Sequence, residues 1–245
     1  MKKILFALAL AVVATACHTN EGGEVKVGKI AINAATRSDV SENSDNKFVL
    51  NESLVPSADD LKVEIVGNDN TFIWATLAEF NDAVSNGLAF TSAPYNVTLS
   101  YGEKGVEGWS KPYFEGSTSV EVPQYNLSVD ANIEVILLNS IIAIETTDNF
   151  NGYFPTSAFK INGIEWDSTK EEMLFMNVGE VTISCEAIRQ TGTTTTLESV
   201  VTLKPTTRHK VVFDLTTVGN TKVNISFDDT IVETIELEFE LNENA

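Results

Sequence analysis

Nucleophilic and metal-ligating chemistry is scarce in this chain. Its only thiols are Cys17 and Cys185, and its only imidazoles are His18 and His209. His18 adjoins Cys17, which leaves His209 between Arg208 and Lys210 at the start of a strand pattern. That position is expected to be a solvated strand edge, and no Ser or Cys motif directs it to act as a base, so no catalytic residue is assigned. Gly23-Glu24-Val25-Lys26-Val27-Gly28-Lys29 has phosphate-loop spacing, but Ile30 stands where Ser or Thr is needed and a strand pattern surrounds it. HExxH, a dinucleotide fingerprint and a zinc-spaced cysteine pair are all absent from the sequence, so neither cofactor nor metal is expected. Asp39, Glu42 and Asp45, or Asp228 and Asp229, offer oxygen ligands without the spacing of a calcium loop; solvated loop acids are the expectation. An enzyme is therefore not expected.

The two cysteines have different surroundings. Lys2 and Lys3 precede an apolar run from Ile4 to Ala14, then Thr15, Ala16 and Cys17. A positive start, a short apolar stretch and small residues before a cut site describe a secretory signal over residues 1–16. Ala14-Thr15-Ala16-Cys17 resembles the lipobox of bacterial lipoproteins, with Ala14 in place of the usual Leu. That resemblance implies a lipid on Cys17, a polar tether over residues 17–24 and attachment to a membrane through the lipid alone. Cys185 would then be the single remaining thiol. It falls on the apolar side of an alternating run, Val181 to Ala187, and is expected to be buried and inert.

The chain has 245 residues and a formal charge of −19, which deepens to −21 once Lys2 and Lys3 are removed. Such a charge repels phosphate backbones, so nucleic acid is excluded as a partner. Thr, Val and Ile make up more than a quarter of the residues, and Gly and Pro are few. These proportions suit strands in a packed domain rather than disorder.

About a dozen strands follow from period-two alternation and turn residues. Val25 to Val27 resumes at Ile30 to Ile32 with a parity slip near Gly28, which predicts a bulge. The polar tract from Thr36 to Asn46 reads as a loop. Thr76-Leu77-Ala78-Glu79 has capping-box spacing, and Leu77, Phe80 and Val84 share a face before Asn86-Gly87, which predicts one helix. Tyr95, Val97, Leu99 and Tyr101 line one side of a strand. Asn162-Gly163 is a two-residue hairpin signal. Near the C-terminus Ile235, Leu237, Phe239 and Leu241 alternate with Glu236, Glu238 and Glu240, the wet face of a strand. The fold class is therefore all-β, built from β-sandwich modules with one short helix. Trp109, Tyr113 and Phe114 lie in a stretch punctuated by Gly and Pro. Two roles are open to them: stacking on a sugar, or closing the end of a sandwich core.

Tyr95-Asn96-Val97-Thr98-Leu99-Ser100-Tyr101-Gly102 is followed by Trp109-Ser110-Lys111-Pro112-Tyr113-Phe114-Glu115-Gly116, by Ala131 to Asn139, by Ile141-Ile142-Ala143-Ile144 and by Phe150 to Phe154. With these motifs the chain resembles an uncharacterised family of Bacteroidetes surface lipoproteins, a domain of unknown function, itself similar to fimbrillins. The resemblance implies two transthyretin-like or Ig-like sandwiches over residues 24–128 and 129–245. It implies an outer-membrane or cell-surface location and a structural or adhesive role as a pilus or anchor subunit, with homologous subunits or a host or glycan ligand as partners. Fimbrillins are held to polymerise when a protease removes the first strand and another subunit's strand fills the groove. On that pattern Arg37, just after the first strand, is a possible processing site, and Ile235, Leu237, Phe239 and Leu241 are a possible donor strand. An ordinary loop arginine and an ordinary final strand are the other readings. The alternative function is a carbohydrate-binding lipoprotein of a glycan-uptake system.

Overall fold

The computed structural model describes residues 26–42, 46–216 and 221–237. The expectations for residues 1–25, including Cys17, and those for Asp45, Phe239 and Leu241 lie outside them. The described chain begins with β1 (Val27–Thr36), β2 (Asp39–Glu42) and β3 (Asn46–Val49), then β4 (Lys62–Gly67) and β5 (Asn70–Trp74). Helix α1 (Leu77–Ser85) leads to β6 (Phe90–Thr91), β7 (Pro94–Tyr101), β8 (Gly108–Trp109), β9 (Phe114–Glu121) and β10 (Ser128–Leu137). The second half holds β11 (Ser140–Thr146), α2 (Asp148–Tyr153), β12 (Thr156–Ile161), β13 (Ile164–Glu165), β14 (Leu174–Met176), β15 (Gly179–Ile188) and β16 (Thr194–Leu203). It ends with β17 (Thr207–Thr216), β18 (Lys222–Phe227) and β19 (Thr230–Glu236). The protein is all-β, with two short α-helices among the described residues.

Local signals set the clear elements. The Thr76 hydroxyl accepts from the Glu79 amide at 3.1 Å and caps α1, while the Glu79 carboxylate accepts from the Ala75 amide at 3.1 Å. Leu77 and Phe80 of this helix are buried, and the Phe80 ring lies 5.0 Å from Trp74. Asn162 and Gly163, at φ +47° and +81°, turn β12 into β13. The bulge expected at Gly28 is absent: β1 pairs without a register shift, and Gly28 is in phase with buried Ile30 and Ile32. A Cβ on Gly28 would stand 2.3 Å from the Pro123 carbonyl oxygen, so close backbone approach explains the missing side chain. The tract expected as a loop from 36 to 46 contains β2, which pairs with β3 and in parallel with β17. Its partner Arg208 is 166 positions from Glu42, too far for any local period to reveal.

Three sheets result. Seven strands run in the order β5-β4-β7-β9-β10-β1-β6, and the sheet curls until its ends face each other: Phe72 of β5 and Phe90 of β6 have ring centroids 5.5 Å apart. A second sheet follows β19-β18-β17-β11-β14-β8, with β2 beside β17, and it faces a third ordered β13-β12-β15-β16. Residue 129 lies inside β10, and the chain passes from the first sheet to the second between Leu137 and Ser140.

Two cores form, and β11 and β14 belong to both. Ile141 and Phe175 are paired across these strands and pack into the first core. Their neighbours Ile142, Ile144, Leu174 and Met176 pack into the second. Because side chains alternate across a sheet, a strand pair sandwiched between two cores must be apolar at every position. Ile141-Ile142-Ala143-Ile144 and Leu174-Phe175-Met176 meet that requirement.

A wall shared by the two cores should make them unfold as one cooperative unit. Urea unfolding followed by tryptophan fluorescence, with Trp74 against the first core and Trp109 and Trp166 against the second, should give one transition. Phe175→Ala should lower the stability by about 3–5 kcal/mol. Two separated wild-type transitions would contradict the shared wall.

Candidate functional site

The site begins with β1, because its neighbours hold it unequally. On one side it pairs in parallel with β10 over eight residues, from Lys29↔Ser128 to Thr36↔Val135. On the other, among the described residues, it meets only Val27↔Thr91 and Gly28↔Phe90 of β6. Ile30 and Ile32 drop into the first core, while Asn33 faces out and its amide donates to Asn132 Oδ1 at 3.1 Å. The entry to the strand is tied by backbone bonds, Asn126 N–H to Val27 O at 2.8 Å and Lys29 N–H to Leu127 O at 2.9 Å.

Arg37 ends the strand. Its amide donates to Val135 O at 2.9 Å, and its guanidinium grips Asp39 two residues on, Nε to Oδ1 at 2.8 Å and Nη2 to Oδ2 at 3.2 Å. Lys47 adds a contact of 3.2 Å to the same carboxylate. Hydrogen bonds from Arg37 and then Lys47 hold the Asp39 carboxyl down at about 2. The Arg37 side chain is 41 % exposed, so this pair adds little stability and leaves the arginine within reach of solvent.

Beyond Arg37 the chain is fastened to the second sheet. Ser41 N–H donates to Thr206 O at 2.8 Å, Glu42 accepts from the Arg208 guanidinium, and that guanidinium lies 4.7 Å from the Phe48 ring centroid. The stretch after Arg37 thus has its own anchor, independent of β1.

A buried polar seam joins the halves near the shared wall. Asn139 Oδ1 accepts from Tyr113 N–H at 3.2 Å, its Nδ2 donates to Lys111 O at 3.0 Å, and its carbonyl accepts from Thr206 N–H at 3.3 Å. Thr206 Oγ1 donates to Leu137 O at 2.7 Å, and Ser140 Oγ donates to Lys204 O. Beside this turn lies His209, which corrects the expectation of a solvated histidine, since it is 1 % exposed. Its Nε2 accepts from Lys204 N–H at 2.9 Å, so Nδ1 carries the proton and donates to Asp228 Oδ2 at 2.6 Å. The ring stacks on Phe227 at 4.9 Å. Both nitrogens are committed, Nε2 to the β16–β17 turn and Nδ1 to the β18–β19 turn.

The remaining sequence candidates are placed as follows. Phe114 is inside the first core, and Tyr113 is buried with its hydroxyl donating to Glu115. Burial, then that carboxylate, pushes the Tyr113 phenol up. Trp109 is half-buried on β8, 5.2 Å from Trp166 and under Lys170 Nζ at 4.9 Å, with its indole N–H donating to Glu165 O at 3.3 Å. These three aromatics therefore do not converge on one surface. Glu236 pairs with Lys222 at 2.7 Å on the wet side of β19, while Ile235 is half-buried and Leu237 buried in the second core. Cys185 is buried, and desolvation raises its thiol to about 12. Asp39, Glu42 and Asp228 are spent on Arg37, Arg208 and His209, and no group of three or more His, Cys, Asp or Glu side chains able to hold a metal occurs among the described residues. Sequence reasoning missed Asn139, Arg208 and Trp166, whose partners are all distant in the chain.

The family described as Domain of unknown function (DUF4493) matches residues 23–243. No curated protein matches at a significant level. Among solved structures, a candidate cell adhesion protein from Bacteroides fragilis is 9% identical, covering 88% of this chain and 99% of its own, with a TM-score of 0.36. A fimbrial protein from Bacteroides ovatus is 10% identical over 78% of this chain and 49% of its own, with a TM-score of 0.37. A candidate polysaccharide-binding protein from Bacteroides thetaiotaomicron is 8% identical, covering 77% and 92%, with a TM-score of 0.38.

The seam makes its own prediction. Asn139→Ala strands a buried amide and a buried carbonyl and should cost about 1–3 kcal/mol in urea unfolding, whereas Asn33→Ala on the exposed face should change little. Equal effects would contradict the bridging role of Asn139.

Proposed function

The chain belongs to the family described as Domain of unknown function (DUF4493), and on that premise we propose that it is a lipid-anchored cell-surface protein with a structural or adhesive role, able to join a second copy by strand exchange. The observation that carries this reading is β1 itself: a strand bonded fully on one side and barely on the other, closed by an exposed arginine. A trypsin-like cut after Arg37 separates β1 from the rest of the chain, and the new end at Ser38 stays fastened through Ser41 and Glu42 to β17. Loss of β1 opens the edge of β10 and empties the places of Ile30 and Ile32. An incoming strand satisfies that edge with main-chain hydrogen bonds and fills the places with alternate side chains.

The donor in this reading is residues 231–241 of another copy. β19 is the outermost strand of its sheet, with Ile231 58 % and Val232 42 % exposed, so detaching it disturbs less than detaching an inner strand. In the sequence of this segment, alternating Ile235, Leu237, Phe239 and Leu241 have the period a groove requires. The lipid on Cys17 belongs to the same reading: it tethers the uncut chain to the outer membrane, and cleavage after Arg37 frees the remainder.

Two experiments test this. Limited trypsin treatment should give a folded fragment beginning at Ser38 that forms oligomers, Arg37→Gln should block the cut, and excess synthetic peptide spanning Lys26 to Arg37 should suppress assembly. A folded fragment that stays monomeric would contradict strand exchange. For the anchor, Cys17→Ser should abolish labelling by radioactive palmitate and move the protein out of the membrane fraction; an unlabelled wild-type chain would refute lipidation.

A further inference from the structure

The connection from β7 to β9 encloses an open cavity that the strand-exchange reading does not use. It has a volume of ≈ 540 Å³ and is lined by Leu54, Val106 and Pro112, by the serines Ser53 and Ser110, and by Tyr101, Glu103 and Lys111 around Gly102. Small-ligand sites span about 300–1,000 Å³. Tyr101 continues the phase of buried Tyr95, Val97 and Leu99 and stands opposite buried Phe114, but as the last residue of β7 it is 40 % exposed and lies outside the first core. An aromatic displaced from the core in this way is free to stack on a ligand.

The loop that carries the lining is held in place before any ligand arrives. A Cβ at Gly102 would lie 2.1 Å from the Pro112 carbonyl oxygen, so the two ends of the loop are in backbone contact. Ser110 N–H donates to Met173 O at 2.9 Å, and the Lys111 carbonyl accepts from Asn139. Asn177 Nδ2 donates to Gly105 O at 3.0 Å, and Asn177 N–H donates to Glu107 Oε1 at 2.9 Å. Bonds from the residues flanking β14 and from the seam therefore fix both the loop and the cavity, and binding does not have to order them.

The lining selects a chemical class. It is amphipathic, with aliphatic side chains, one aromatic face and a rim of hydroxyls. Glu103 and Lys111 bring one charge of each sign, and neither makes an ion pair with the described residues. Their charges cancel, which gives no preference for an ionic ligand, and the chain's net −19 disfavours anions. Hydroxyl groups of a ligand can donate to the carboxylate and accept from the ammonium, while a C–H face rests on the tyrosine. We propose that this cavity is a binding site for neutral saccharides, with Tyr101 as the stacking residue and Glu103 and Lys111 as hydrogen-bonding partners.

The site does not depend on cleavage at Arg37, so either proposal can fail alone. The test is a broad glycan array probed with the purified uncut chain, followed by calorimetric titration of the strongest neutral glycan. Binding should weaken about tenfold or more in Tyr101→Ala, be kept in Tyr101→Phe, weaken in Lys111→Met, and be unchanged in Trp109→Ala. Tyr101 and Lys111 are exposed, and thermal melting of each variant should match the wild type. An array without any neutral glycan bound, binding confined to charged glycans or peptides, or binding undiminished in Tyr101→Ala would each overturn the proposal.

Discussion

Because side chains on a strand alternate between its two faces, β11 and β14 can serve two cores at once, and the remaining architecture follows from that sharing. Ile141 opposite Phe175 completes the first core, and Ile142 opposite Leu174 completes the second. Neither core can be withdrawn from the other without exposing one face of this pair, and burying such side chains is the dominant favourable contribution to folding. The first half of the chain also gives strands to the second sheet: β8 pairs with β14 at its edge and β2 pairs with β17. Asn139 and Thr206 then satisfy the backbone groups that become buried where the chain crosses over.

Against this interlocked centre, β1 is the exception. It has a long interface with one neighbour, a two-residue interface with the other, and a solvent-accessible link to the segment that follows. β19 is a second peripheral strand, with apolar side chains facing outward. Acidic residues keep such edges from pairing indiscriminately: Glu233 and Glu236 lie on β19 itself, and two copies approach with a large net negative charge on each. Strand exchange under that repulsion depends on main-chain bonding and apolar fit rather than on charge attraction.

Much of the fold could be read from local sequence because the relevant interactions are local. Alternation in Leu61 to Ile65 and Val181 to Ala187, the Thr76 cap and the Asn162-Gly163 turn each act within a few residues, and the structure contains all of them. The polar tract after Thr36 hides β2 because that strand is specified by β17, far along the chain. α2 has only six residues, and its Thr147 cap is also bonded to Asp214 at 2.6 Å, so its context is tertiary. His209 departs from expectation for the same reason: neighbours Arg208 and Lys210 suggest solvent, while Asp228 and the Lys204 amide hold it in the interior. Of the candidate site, Arg37 is 41 % exposed in a polar stretch of sequence. The cavity beside Tyr101 is not legible in the sequence, because alternation predicts which face a residue takes but not that Ser53 and Leu54 come to lie beside it.

A β1 that can leave while the shared wall stands must open at lower free energy than the rest of the molecule. Native-state hydrogen exchange across a urea series measures this strand by strand. The expected result is that β1 amides exchange through a separate, less stable opening. Amides of β11, β14 and β15 should exchange only with global unfolding, and β2 should stay protected beside β17. If β1 exchanges only together with β11 and β14, it is an integral strand of the core and its role as a removable element is contradicted.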